Sequence, residues 1–208
     1  MKTSALWKTL NRDQRRAWSA WAKNNPVLLD NGSVRRVSGH KAMTVVLRNR
    51  TVAGEAANPA VLPAAVAWLD GALDLSDAGP FTAGIGYIGF RCTADIEAGT
   101  KFFVWASPVL PEAEAGATPR LRFVGLLTCA AMTAALGGDV TANLGAAYRA
   151  VCGEFRGPGA NGQWTLPDPE DPEAVIADPH YVWLRLHHYA NGQLSPGRMM
   201  RGMVVEEL

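Results

Sequence analysis

The stretch "HYVWLRLHHYA", residues 180–190, alternates strictly along its length. In an extended chain Val182, Leu184 and Leu186 share one face, and Tyr181, Trp183, Arg185, His187 and Tyr189 share the other. The aliphatic face suits the core of a packed sheet. The Tyr, Trp, Arg and His face has the composition of a protein interface. Asn191-Gly192, a turn dipeptide, follows it, then the loop "QLSPG" and a closing strand in "GRMMRGMVVEEL". The end of the chain therefore reads as antiparallel strands joined by short turns.

Working back from there, "TAGIGYIGFRCTA" (82–94), "TKFFVWASPVL" (100–110) and "RLRFVGLLTCA" (120–130) read as three further strands. One helix, "NLGAAYRAVCGEF" (143–155), interrupts them, followed by a Pro- and Gly-rich loop over 157–179. Strands separated by turns, without strand–helix alternation, favour an antiparallel sandwich. In the 100–110 strand Phe102 and Val104 oppose Phe103 and Trp105, so both faces are apolar and both need cover. Either the 143–155 helix or another subunit supplies it.

Gly84-Ile85-Gly86-Tyr87-Ile88-Gly89 satisfies G-x-G-x-x-G, the pattern of dinucleotide sites. Such a site needs a helix starting near the third glycine, whose N–H groups hold pyrophosphate. The residues that follow, "FRCTADIEAGTKFFVW", reach the next strand too soon for a crossover helix. The glycines are read as part of a strand, and no cofactor is assigned to them.

Other catalytic and metal patterns are weak. His187 and His188 are neighbours, and neighbours in a strand point to opposite faces. The only other histidines, His40 and His180, are not spaced as metal ligands. "DPEDPE", Asp168–Glu173, lacks the EF-hand pattern and reads as a solvated acidic loop. No nucleophile elbow or phosphate-binding P-loop occurs. The reading assigns no catalytic residue, no metal and no enzymatic activity. Cys92, Cys129 and Cys152 form no C-x-x-C pair and read as buried reduced thiols. The N-terminus lacks the apolar run of a signal peptide, and no stretch is long and apolar enough for a membrane span.

Charge is divided along the chain. Residues 1–50 hold eleven Lys and Arg against Asp13 and Asp30, a formal +9, although the whole chain is +1. Such asymmetry implies an acidic partner: nucleic acid, another protein, or the acidic part of a neighbouring copy. Within this segment residues 4–24 read as one helix, with Trp7, Leu10, Gln14, Ala17 and Trp21 on one stripe and Trp18 beside it. Arg12, Arg15 and Arg16 lie mostly off the stripe, and Asn24-Asn25-Pro26 ends the helix. Asn31-Gly32 signals a turn and short hairpin, with Arg35 and Arg36 just beyond, and Ser38 is an N-cap for "GHKAMTVVLRNR". Residues 51–74, rich in Ala and Pro, read as a connector with one helical turn near 63–69.

"DQRRAWSAWAKNNPV" followed by "SGHKAMTVVLRN", "KFFVWASPVLP", "RLRFVGLL", "AAYRAVCGEF" and "HYVWLRLHHYANGQLSPGRMMRGMVV" resembles a group of small phage-associated bacterial proteins. In these a Q-R-x-A-W-type helical arm precedes a fibronectin-like β-sandwich. The resemblance implies a virion component, of a phage tail or capsid, assembled in the bacterial cytoplasm, with no catalytic residues to carry over.

The sequence reading is therefore a mainly β chain: an antiparallel fibronectin/Ig-like sandwich over 75–208 with one inserted helix, a connector over 51–74, and a basic helical arm over 1–50. Its function would be structural, through contacts with copies of itself and other virion proteins. Nucleic acid binding through the basic arm is the alternative. Trp7, Trp18, Trp21, Arg12, Arg15, Arg16, Arg35, Arg36, Tyr181, Trp183, Arg185 and Tyr189 are the expected interface residues.

Overall fold

The structure, a computed structural model, describes residues 3–29, 32–70, 73–74, 81–83, 87–92, 95–108, 110–111, 121–129, 139–143, 145–152, 165–167, 175–177 and 180–206. In chain order the elements are α1 (Thr3–Thr9), α2 (Arg12–Asn24), β1 (Val27–Leu28), β2 (Val34–Arg35), α3 (Gly39–Val52), β3 (Leu73–Asp74), β4 (Phe81–Ala83), β5 (Tyr87–Cys92), β6 (Lys101–Ala106), β7 (Leu110–Pro111), β8 (Arg122–Thr128), β9 (Asp139–Asn143), α4 (Gly145–Cys152), β10 (Thr165–Pro167), β11 (Val175–Ala177), β12 (His180–Ala190), β13 (Gln193–Leu194) and β14 (Arg198–Glu206). The chain is mixed in class, with antiparallel sheets beside substantial helix, rather than mainly β. The helices near the N-terminus build a core of their own instead of forming an appendage.

Two compact units result: Met1–Asp70 with His187–Gly197, and Gly71–Leu186 with Arg198–Leu208. The boundaries therefore differ from a 1–50 arm, a 51–74 connector and a 75–208 domain. Residues 51–70 and the 187–197 segment both belong with the helices.

In the first unit the expected single helix is two. Asn11 breaks it: its side chain accepts from the Gln14 N–H at 2.9 Å, and the Gln14 side chain accepts from the Asn11 N–H at 3.0 Å. This reciprocal capping box ends the run of α1 and starts α2 afresh. The buried stripe shifts accordingly to Leu10, Trp18 and Ala22, and Gln14 serves as a cap. Leu10 and Trp18 pack with Met43, Val46 and Leu47 of α3, which Ser38 caps through the Lys41 N–H. At the start of α3, Gly39 lies so close to α2 that a Cβ there would sit 2.7 Å from the Ser19 nitrogen.

The far end of α3 holds the rest of the unit. Arg50 is only 7% exposed. Its guanidinium donates to the carbonyls of Val61 (3.1 Å), Asn58 (3.3 Å) and Asn191 (3.4 Å). The neighbouring Asn49 amide donates to the Gly192 carbonyl at 3.1 Å. Asn191 and Gly192 form the two-residue turn between β12 and β13, with φ of 52° and 83°, as the dipeptide predicts. A side chain at Gly192 would press on Val46, 2.6 Å from its Cγ1. The helical turn expected near 63–69 is absent. Tertiary partners take the backbone there: the Val61 carbonyl serves Arg50, the Ala64 carbonyl serves Gln193, and the Leu69 N–H donates to His188 Nδ1.

The second unit contains a sheet in the order β4-β14-β12-β6-β8, in which β12–β14 and β6–β8 pair antiparallel and β14–β4 parallel, and a three-stranded sheet β3-β5-β9. Val182, Leu184 and Leu186 are fully buried, as the alternation predicts. Phe102, Phe103 and Val104 are buried too, and α4 supplies part of the cover. The Tyr148 hydroxyl on α4 donates to the Ser107 carbonyl at 2.9 Å, and Arg122 on β8 donates to the Val151 carbonyl at 2.6 Å. Cover for that strand thus comes from within the chain. Gly84–Gly86 lie outside the described residues, but Gly89 continues β5 as strand, opposite Thr141 of β9, so no helix begins at the third glycine.

Replacing Arg50 by Leu should cost about 2–4 kcal/mol, because three carbonyls lose a charged donor inside the unit. Gly192→Ala should cost about 1–3 kcal/mol from the left-handed φ and the clash with Val46. Urea midpoints of the two variants against the parent check both.

Candidate functional site

The expected interface residues divide sharply by burial. Trp18 is 1% exposed and its indole N–H donates to the Pro59 carbonyl at 2.8 Å. Trp21 meets it edge-on at 5.7 Å, and Trp7 lies 5.2 Å from the His40 ring; both are half-buried. Tyr189 is 4% exposed and its hydroxyl donates to Glu55 at 2.6 Å. Burial first, then this bond to a carboxylate, holds its phenol well above the usual range. These aromatics are structural members of the first unit. Trp18 and Tyr189 in particular are corrected from interface to core, because a large apolar side chain that can reach a core gains more there than in solvent.

The basic residues do the opposite. Arg12, Arg16, Lys23, Arg35 and Arg36 are exposed. Arg15 is half-buried and ties α1 to α2 by donating to the carbonyls of Trp7 (3.1 Å) and Lys8 (2.9 Å). Along α2, Arg12, Arg16, Ser19 and Lys23 recur at four, three and four residues and line an open groove with Arg15. Asp13 lies 3.9 Å from Arg16, but both are exposed, at 90% and 65%, so the pair neutralises little of this charge. The first unit holds eleven Lys and Arg against four Asp and Glu, a formal +7; the second holds nine against fifteen, −6. The division seen along the sequence is thus a division between compact units.

In the second unit Tyr181, Trp183 and Arg185 are half-buried on the face of β12 away from the core. Arg201, on the adjacent β14, stands over the Tyr181 ring at 4.2 Å. The Arg185 Nε is buried without a hydrogen-bond partner among the described residues. Trp105, Phe123 and Phe103 form an aromatic cluster on β6 and β8, with Phe123 exposed.

A polar cluster not anticipated from the sequence joins the 187–197 hairpin to residues 68–70. His188 Nδ1 accepts from Leu69 N–H, its own backbone N–H donates to the Ser195 Oγ (2.8 Å), and its ring meets Trp68 edge-on at 5.6 Å. His187 Nδ1 lies 2.8 Å from the Ser195 carbonyl and so carries the proton. Asp70 Oδ2 accepts from Gly197 N–H at 3.0 Å, and Oδ1 is buried without a partner among the described residues. Although Ser, His and Asp are present, a backbone amide rather than an imidazole meets the serine oxygen, so the geometry that activates a nucleophile is not the one found. The cluster works as a clasp. A nearby pocket of about 170 Å³, lined by Leu28, Val46, Asn49, Trp68 and Gln193 among others, carries no charged side chain.

Among the described residues no three His, Cys, Asp or Glu side chains gather as metal ligands, and no helix is long and apolar enough to cross a membrane. Cys129 is buried and Cys152 half-buried, and burial pushes the Cys152 thiol up. Comparison with models of known families, with curated proteins and with solved structures finds no match.

The clasp makes stability depend on pH. Burial lowers the His188 pKa, with Asp70 opposing the shift, so the unfolded chain takes up a proton near 6.5 while the folded one does so only at lower pH. The unfolded state then binds more protons, and stability is full above that value and declines as pH falls through it. Urea midpoints at about pH 7.5 and about pH 5.5 should show the decline, and His188→Gln should remove most of it.

Proposed function

We propose that this chain is a non-enzymatic assembly protein, a virion component of phage-tail or capsid-associated type, that docks onto acidic protein surfaces, including those of its own copies, through the cationic face of its first unit. The observation that carries this is the partition of charge, +7 on one compact unit and −6 on the other. Like copies carrying opposite patches associate head to tail, which closes into rings or extends into filaments. Trp18 is spent on the core and Trp7 and Trp21 pack half-buried against it, so arginines and lysines dominate the accessible chemistry of the first unit. The finer architecture of the second unit, a fibronectin-like sandwich built on its two sheets, belongs to this proposal, as does a virion location after assembly in the bacterial cytoplasm. No catalytic residue or cofactor is assigned.

The regular spacing of Arg12, Arg16 and Lys23 also favours a second reading, contact with nucleic-acid phosphates. It is the weaker one, because the fifteen acids of the second unit would repel the same backbone.

Light scattering on a sizing column, with ultraviolet absorbance recorded, tests the proposal. The expected result is a nucleic-acid-free oligomer that dissociates as salt rises from about 0.05 M to about 0.5 M, since screening shortens the reach of exposed charges. A monomer at every salt would sink the assembly reading. A particle that loses its mass on nuclease treatment would replace it with the second.

A further inference from the structure

Going beyond that reading, we infer that the uncharged pocket of the first unit binds a neutral sugar, one pyranose ring at a time. Its volume is about 170 Å³. An apolar cavity of roughly 150 Å³ holds benzene, so the pocket has room for one six-membered ring. Three segments build it: Asn25 at the end of α2, Val46 and Asn49 on α3, and Gln193 just after the Asn191-Gly192 turn. The floor is closed, since Val46 and Asn49 are buried, while Val34 on the rim is 46% exposed. The polar groups on the walls are amides in a set orientation. The Asn25 Nδ2 donates to the Trp21 carbonyl at 2.8 Å, the Gln193 Nε2 to the Ala64 carbonyl at 2.7 Å, and the Asn49 Nδ2 to the Gly192 carbonyl at 3.1 Å. A carbonyl can only accept, so each NH2 is turned to the backbone and each amide oxygen is left as an acceptor. The Asn49 oxygen takes a long bond from Arg48 at 3.4 Å, and those of Asn25 and Gln193 take none among the described residues.

The class of ligand follows from these groups. Oriented acceptors beside apolar walls, with no charged side chain in the lining, suit a neutral donor of hydrogen bonds. A carboxylate or phosphate would meet amide oxygens and no cation, and an ammonium would lose its hydration without a counter-charge. Sugar hydroxyls donate, and each turns about its own C–O bond to reach its acceptor. The C–H groups on a pyranose face suit the electron-rich face of an indole. Trp68 lines the pocket, and the His188 ring steadies it edge-on at 5.6 Å.

Saturation-transfer NMR on the full chain tests this. The probes are the methyl pyranosides of glucose, galactose, mannose and N-acetylglucosamine, with uracil and benzene as controls. At least one pyranoside should bind with a Kd below about 20 mM, a strength suited to a single ring, and more tightly than either control. Two variants locate it. Val34→Trp, a change at an exposed rim position, should block the mouth, and Gln193→Met should remove an acceptor at similar size; each should weaken binding at least about fivefold. Circular dichroism confirms that each is folded, and should Gln193→Met not fold, Val34→Trp decides alone. A smaller loss in either folded variant places the sugar elsewhere and overturns the inference. So does the lack of any pyranoside signal at about 20 mM, or tighter binding of uracil or benzene. None of these outcomes touches the assembly reading, which rests on the charge of the α2 face.

Discussion

Arg50 brings a guanidinium into the interior of the first unit and spends it on backbone carbonyls. Arginine stays protonated in any protein interior, so this group must be solvated by the fold itself. The carbonyls of Asn58, Val61 and Asn191 do so, and in return they are fixed in place. The consequence is long-range. A helix from the start of the chain, a segment without regular structure and a turn some 141 residues away are joined at one side chain. The Asn49 amide and the close seat of Gly192 on Val46 extend the same junction. Residues 51–70 and 187–197 belong with the helices for this reason.

Once the helices have such a core, the tryptophans are absorbed by it. Trp18 is the clearest case: its ring fills the space between α2 and α3 while its N–H reaches the Pro59 carbonyl, so both its apolar body and its polar tip are satisfied. Most of the charged side chains cannot follow, since a buried cation needs a cradle of acceptors such as the one around Arg50. They are left on the outer side of α2, where helical spacing aligns them. A basic face is thus the by-product of an apolar one, and both follow from the helix that Asn11 caps.

Several features were legible in the sequence because they depend on neighbours along the chain. Alternation placed Val182, Leu184 and Leu186 in the core, Asn191-Gly192 made its turn, and Ser38 capped α3. The fate of Gly89 followed from the short distance to the next strand. The break at Asn11 was also legible, in the N-x-x-Q spacing of a capping box, but the continuous Trp and Leu stripe masked it. What local signals could not report was how residues remote in sequence compete for one another. Residues 63–69 have helix-compatible composition, yet the Ala64 carbonyl is claimed by Gln193 and the Leu69 N–H by His188, while Arg50 holds the Val61 carbonyl just before them.

The sequence by itself determined the strand faces, the caps and turns, and the segregation of basic from acidic residues, all of which rest on composition and on spacing within a few positions. The tertiary structure alone decided which aromatics are spent in the core, that the 187–197 hairpin belongs with the helices, and that Tyr189 faces Glu55 rather than a partner. The physical reason is that burial and hydrogen-bond satisfaction depend on contacts between distant residues. A side chain's identity states what it can bond, and only the folded chain states which bond it gets.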